Sequence, residues 1–188
     1  EGISTEAIDR SRTSAARCSR TRLMEIMGNK AGWLTREAGI AAGADMILIP
    51  EIPFSVDSVC DFVRQHRASG KSHTIIAVAE GAVLASEVKF KKSERTFVRT
   101  ELGETTVTRY LAQVLQERTG YETRTDVSGY LQRGGTPCAY DRLLSSRLGG
   151  YAAKLACSGK FGVTAAVTGK RITFNALTEI AGKYKLVN

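Results

Sequence analysis

The stretch Thr74-Ile-Ile-Ala-Val-Ala-Glu-Gly81, TIIAVAEG, decides how the chain is built. Its apolar run shows no alternation and ends on a carboxylate and a glycine. A run of that kind suits a strand buried on both faces, as in a parallel sheet covered by helices. Working outward, MILIPEI (46–52) repeats the pattern and ends near Pro50, and LMEIM (23–27) has the character of a short strand.

Helical segments fall between these runs. One spans about 32–42 and carries Trp33, Leu34, Glu37, Ile40 and Ala41. A second spans about 56–69, with Ser55 as its N-cap, Val56, Val59, Cys60 and Val63 as one apolar stripe, and Gly70 as its stop. A third spans about 106–119, with Val107, Leu111, Val114 and Leu115 inward and Gly120 behind. Strands alternating with helices predict an α/β fold, with a mostly parallel sheet sandwiched by helices. Pro137 then opens a long helical region through Leu143, Leu144, Leu148 and Leu155, and residues 161–177 read as two strands joined through Gly169-Lys170. Residues 82–105 are polar and irregular.

Composition narrows the class. With 188 residues and 43% apolar content, one domain with a real core is expected and wholesale disorder is excluded. No apolar run is long enough to span a membrane, and EGISTEAIDR lacks the basic and apolar regions of a signal peptide. Cys18, Cys60, Cys138 and Cys157 form no C-x-x-C pair, and only His66 and His73 could join them, so no metal site is expected. Scattered thiols suit a reducing, cytoplasmic setting. The net charge of +8 points to an anionic partner. Arg10, Arg12, Arg17, Arg20 and Arg22 form one basic cluster, and Lys89, Lys91, Lys92 and Arg95 another, the second reading as a solvated face. Aromatic residues are not interleaved with these clusters, so a non-catalytic phosphate or nucleic-acid binding module is the weaker alternative and no nucleic-acid partner is expected.

In open α/β sheets, ligands bind beyond the carboxyl ends of the strands. Gly28, Glu80 and the Arg133-Gly134-Gly135 stretch all fall there. Gly28 would let a ligand approach the backbone, and Gly32 begins a helix whose free amides suit an anion. Glu80 is either a cap on the sheet end or an acceptor for a hydroxyl. Arg133 offers a planar fork matched to phosphate, beside glycines that leave room for approach, and Arg124 upstream could add a second positive group. Gly70-Lys71-Ser72 is not a P-loop, because position 65 is Gln where that motif needs glycine.

Four segments, MEIMGNKAGW, GIAAGADMILIPEIPF, HTIIAVAEGA and GYLQRGGTPCAYDRLLSSRLG, together resemble the 6-phosphofructokinases over roughly residues 5–160. The resemblance implies the phosphofructokinase-like C-terminal domain, across residues 1–188, with the donor-binding half upstream. It implies phosphoryl transfer from ATP to the 1-hydroxyl of fructose 6-phosphate, giving fructose 1,6-bisphosphate in glycolysis, with pyrophosphate as the alternative donor. By the same resemblance, Arg133 and Arg124 match arginines on the sugar's 6-phosphate, and Arg124 and Arg20 match those reaching in from a neighbouring subunit. Glu80 matches the acid that accepts sugar hydroxyls, Met27 and Gly28 match the turn against the sugar, and Tyr130 stands where many members have histidine.

Arg12, Gly43, Asp45, Lys71 and His73 match an effector site for nucleoside diphosphates, with Ser69 where some members have lysine. The family pattern also implies Mg²⁺, bound with the donor mainly by the other half, no catalytic residue in this chain, inactivity of the chain alone, and a homo-oligomer, dimer or tetramer. Asn29 replaces an arginine that faces the transferred phosphate, and Cys18, in AARCSR, replaces a histidine. Residues 82–105 are similar to a subgroup that mixes ATP and pyrophosphate users.

Overall fold

The computed structural model describes residues 1–91, 93–95 and 106–188. It divides into two compact units, Glu1–Gly134 with Leu186–Asn188, and Gly135–Lys185, where composition suggested one domain. Nothing at the boundary except Gly134-Gly135 distinguishes it in the sequence.

The first unit runs α1 (Gly2–Cys18), β1 (Thr21–Ile26), α2 (Trp33–Ala41), β2 (Met46–Leu48), α3 (Val56–Ala68), β3 (Thr74–Ala79), α4 (Val107–Thr119) and β4 (Thr123–Val127). Its four strands form a sheet in the order β2-β3-β1-β4, and every pairing is parallel. Thr74 to Ala79 are all buried, as their unbroken apolar run requires. Successive side chains of a strand point to opposite faces. Ile76 and Val78 accordingly join Leu23, Val59, Val63, Leu111 and Leu115 in one core layer, against α3 and α4. Ile75 and Ala77 join Met24, Ile26, Ile8, Ala15 and Ala38 in the other, against α1 and α2. Each fully buried Ile or Leu contributes about 1.5–3 kcal/mol. The sheet is therefore sandwiched by helices, as the sequence predicts.

Helix ends follow local chemistry. The Thr106 hydroxyl accepts the Arg109 amide at 3.3 Å and caps α4, and Gly120 closes the helix at φ +74°. Ser55 stands at the N-cap position of α3, but its side chain makes no capping bond. β2 is shorter than MILIPEI suggested, three residues at the sheet edge with only Leu48 buried, because the chain turns away before Pro50. Within residues 82–105, Ala85–Glu87 form a 3₁₀ turn, and Lys92 and the stretch 96–105 lie outside the described residues.

The second unit contains α5 (Ala139–Cys157), β5 (Val163–Thr168), β6 (Arg171–Ala176) and the short α6 (Leu177–Ile180). β5 and β6 form an antiparallel hairpin closed by Gly169-Lys170, with Gly169 at φ +60°. Asp141 caps α5 by accepting the Cys138 amide at 3.1 Å. No residue of α5 is buried, and Leu143 is 61% exposed.

Candidate functional site

The site is assembled at the carboxyl edge of the parallel sheet. β1 and β3 are neighbours, with Ile26 opposite Ala79, so the chain leaving each strand emerges beside the other. The Glu80 amide continues the ladder, donating to Ile26 O at 2.9 Å. Its side chain then turns to the loop after β1. Glu80 Oε1 accepts the Gly28 amide at 3.1 Å and the Asn29 amide at 2.8 Å. One oxygen thus fixes two consecutive backbone amides. Of the two roles open to Glu80 from sequence, capping the sheet end is present, and the side chain also lines the adjoining cavities.

The loop is tight. Asn29 sits at φ +53°, a conformation that asparagine tolerates better than most residues. A Cβ on Gly28 would lie 2.5 Å from Ala31 O, and one on Gly81 would lie 1.9 Å from Asn29 O. Gly28 is therefore bare because the chain's own backbone comes close. A third tie comes from Gln132, whose Oε1 accepts both the Met27 amide and the Ser4 hydroxyl at 3.1 Å. Sequence reading passed over Gln132. Its position one residue before Arg133 was the available signal.

Further along the loop, the Gly32 amide donates to Glu51 at 2.9 and 3.1 Å, and the Val187 amide donates to the same carboxylate at 3.0 Å. Burial alone would raise the Glu51 carboxyl, but these amides outweigh it and hold it below its ordinary range. The amide at the start of α2, read from sequence as an anion site, is thus occupied by the chain's own carboxylate.

Arg133 ends a 3₁₀ turn, Gly129–Arg133, and is exposed. Gly135 stands at φ +86°, which explains one of the two glycines after it. Gly134 is different: a Cβ there would meet Leu131 O at an ordinary 3.5 Å, so neither backbone angle nor internal packing demands glycine.

Two cavities open at this edge. One, of about 190 Å³, is lined by Glu25, Met27, Glu80, Gly129, Tyr130 and Gln132. The other, of about 430 Å³, includes Glu25, Asn29, Lys30, Glu80, Lys91 and Arg95 in its lining. Tyr130 is 82% exposed, and Arg133 lines neither cavity. Lys91 and Arg95, assigned from sequence to a solvated face, therefore belong to a cavity wall.

Arg20 and Arg124 lie elsewhere. Arg20 precedes β1, and Arg124 is the second residue of β4, paired with Arg22. Both grip Glu122: Arg20 Nε at 2.7 Å from Oε2, and Arg124 Nη2 at 2.8 Å from Oε1. The Arg20 guanidinium against it holds the Glu122 carboxyl below its usual range, against burial and with help from Arg124. At about 3.3 Å per strand residue, five to seven residues of register set Arg124 and Arg20 roughly 16–23 Å from Glu80, at the amino edge of the sheet. One small ligand cannot touch both ends, so Arg124 does not join Arg133 as a second positive group within one chain.

A further group gathers at that amino edge. Arg12 Nη2 donates to Ala42 O at 2.7 Å and also to Gly43 O, with Gly43 at φ +66°. Asp45 Oδ2 accepts the Ile75 amide at 2.8 Å, and Oδ1 lies 3.5 Å from His66 Nε2. His73, beside the Ser72 hydroxyl, is pushed below the ordinary histidine pKa by burial, with Arg12, Arg67 and His66 adding to the effect and Asp45 opposing it. Gly43 is tied to Arg12 through its carbonyl, and Lys71 is exposed. Among the described residues, no group of three or more His, Cys, Asp or Glu side chains is placed to hold a metal ion. The described residues do not form a Mg²⁺ site.

The family model for phosphofructokinase matches residues 2–156. The chain belongs to the phosphofructokinase family. Among the relatives, it is 44% identical over 185 residues to the ATP-dependent 6-phosphofructokinase of Spirochaeta thermophila, covering 98% of this chain and 50% of that protein. It is 43% identical over 187 residues to the pyrophosphate–fructose 6-phosphate 1-phosphotransferase of Amycolatopsis methanolica, covering 98% of this chain and 54% of that one. The solved phosphofructokinase of Saccharomyces cerevisiae matches with a TM-score of 0.77 and 35% identity, over 94% of this chain and 22% of that chain. The chain thus spans about half the length of the curated relatives it matches.

Proposed function

We propose that this phosphofructokinase-family chain supplies the fructose 6-phosphate site of a 6-phosphofructokinase, at the carboxyl edge of its parallel sheet. The observation that carries the reading is the Met27–Asn29 turn. Three consecutive backbone amides there are held by the Gln132 and Glu80 side chains, beside cavities those side chains help to line. A turn fixed in this way costs little further ordering when a sugar docks against it. Arg133 then binds the 6-phosphate through its fork, Glu80 takes a sugar hydroxyl, and Tyr130 stands beside that phosphate.

The transfer is an in-line displacement in which the sugar's 1-hydroxyl attacks the terminal phosphoryl of the donor, and catalysis is mostly positioning and electrostatics. This chain contributes the positioning. In this reading Arg20 and Arg124, paired on Glu122 at the far edge, serve a neighbouring subunit's site. The Arg12, Gly43, Asp45, Lys71 and His73 group is proposed as an effector site for nucleoside diphosphates on that same edge. Mg²⁺ enters with the donor.

A charge-assisted arginine–phosphate contact contributes about 1.5–3 kcal/mol, at least tenfold in affinity. Arg133→Ala is therefore expected to raise the KM for fructose 6-phosphate at least tenfold. A change below about twofold would contradict the role. The donor is a separate matter, because relatives named for ATP and for pyrophosphate match at nearly equal identity. ATP is the reading favoured here. Turnover with pyrophosphate and none with ATP would replace it.

A further inference from the structure

Two carboxylates, Glu25 and Glu80, line both cavities at the carboxyl edge. They are not equivalent. Oε1 of Glu80 already accepts two amides, which leaves Oε2 for the sugar hydroxyl. Glu25 has no such donors among the described residues. It is the next-to-last residue of β1, opposite Val78 of β3 and Val127 of β4, in the middle of the sheet. Its Oε2 is sealed from solvent and accepts no hydrogen bond among the described residues. A carboxylate can only accept, so an oxygen sealed from water without a donor carries an uncompensated desolvation cost. Nothing in the packing of β1 calls for it, since Leu23, Met24 and Ile26 around it are buried apolar residues. Such a group persists in a strand when something outside the chain supplies the donor.

We propose that Glu25 is a specificity-determining residue that accepts a hydroxyl hydrogen bond from the polyol part of the ligand. The inference rests on the sugar-phosphate reading above and deepens it. The fixed turn and Arg133 account for backbone contacts and the phosphate, but both would serve any small phosphate ester. A second carboxylate on the wall shared by the two cavities adds a test for hydroxyls. The terminal torsion of glutamate is broad, so a modest turn presents either oxygen to a ligand in either cavity. A site built around a hydroxyl rejects a ligand that lacks it, because its own acceptor is then left unpaired.

The test is calorimetric titration of the protein, of Glu25→Gln and of Glu25→Ala, with fructose 6-phosphate and separately with inorganic phosphate. The expected result is a Kd for fructose 6-phosphate at least fivefold higher in Glu25→Gln and at least as high in Glu25→Ala, with the Kd for inorganic phosphate within twofold throughout. Fructose 6-phosphate binding within twofold of the parent in both variants overturns the role of Glu25 and leaves the function intact. Equal weakening toward both ligands overturns it too, because Glu25 would then shape the whole site. Loss of fold in Glu25→Gln would mark a structural residue and overturn the role as well. Failure of the parent protein to bind fructose 6-phosphate overturns the functional reading and this inference together.

Discussion

At the scale of single residues, the site depends on where side chains are missing. Gly81 follows Glu80 with no room for a methyl group, since the Asn29 carbonyl occupies that space. Gly81→Ala must push the loop off the Glu80 carboxylate. The expected cost is about 1–3 kcal/mol of stability, read from chemical denaturation, together with weaker sugar-phosphate binding. Unchanged stability would show the loop to be free to move. His73 gives a second prediction of known sign. Burial lowers its pKa below the ordinary 6.5, so the unfolded chain takes up protons first as pH falls. Its contribution to stability is complete above that ordinary value and is lost as pH drops through it toward the folded value. His73→Gln should flatten the fall in Tm between neutral and mildly acidic pH. An unaltered slope would assign the acid sensitivity to other groups.

At the scale of elements, what could be read from the sequence followed what the core demands. β3 was legible because a strand buried on both faces must be continuously apolar, and α4 because its stripe and both of its ends carry explicit signals. α1 was not. Its buried face is Ser4, Ile8, Ser11 and Ala15, so half of the residues that pack inward are polar, and its arginines drew attention to charge. In the site, Glu80 and Gly28 were legible from their places at strand ends. Gln132 and Glu25 were not, because their importance depends on which partners the fold brings or withholds. The energetics of α4 can be tested through its cap and its stripe. Thr106→Ala should cost about 1 kcal/mol, and Leu111→Ala, at a fully buried position, about 2–5 kcal/mol. Equilibrium denaturation measures both. Equal small losses would mean that α4 is not anchored through Leu111.

At the scale of the whole molecule, the parallel sheet separates two chemistries. Its carboxyl edge holds the fixed turn, the two cavities and Arg133. Its amino edge holds Arg20 and Arg124 on Glu122, and the Arg12–Asp45–His73 group. If both edges serve one kind of ligand site, they must come from different subunits. Two crippled variants, Arg133→Ala and Arg124→Ala, should then rescue one another in mixed oligomers, because some sites would draw each arginine from the variant that retains it. Activity of the mixture no higher than the average of the two would place both arginines in one chain's site. Everything above depends on the carboxyl edge binding the sugar phosphate. Calorimetric titration of the protein with fructose 6-phosphate, in the absence of any donor, meets that point without intermediaries. Saturable binding at one site per chain, displaced by fructose 1,6-bisphosphate, is the expected result. A folded protein that takes up no fructose 6-phosphate would contradict the assignment.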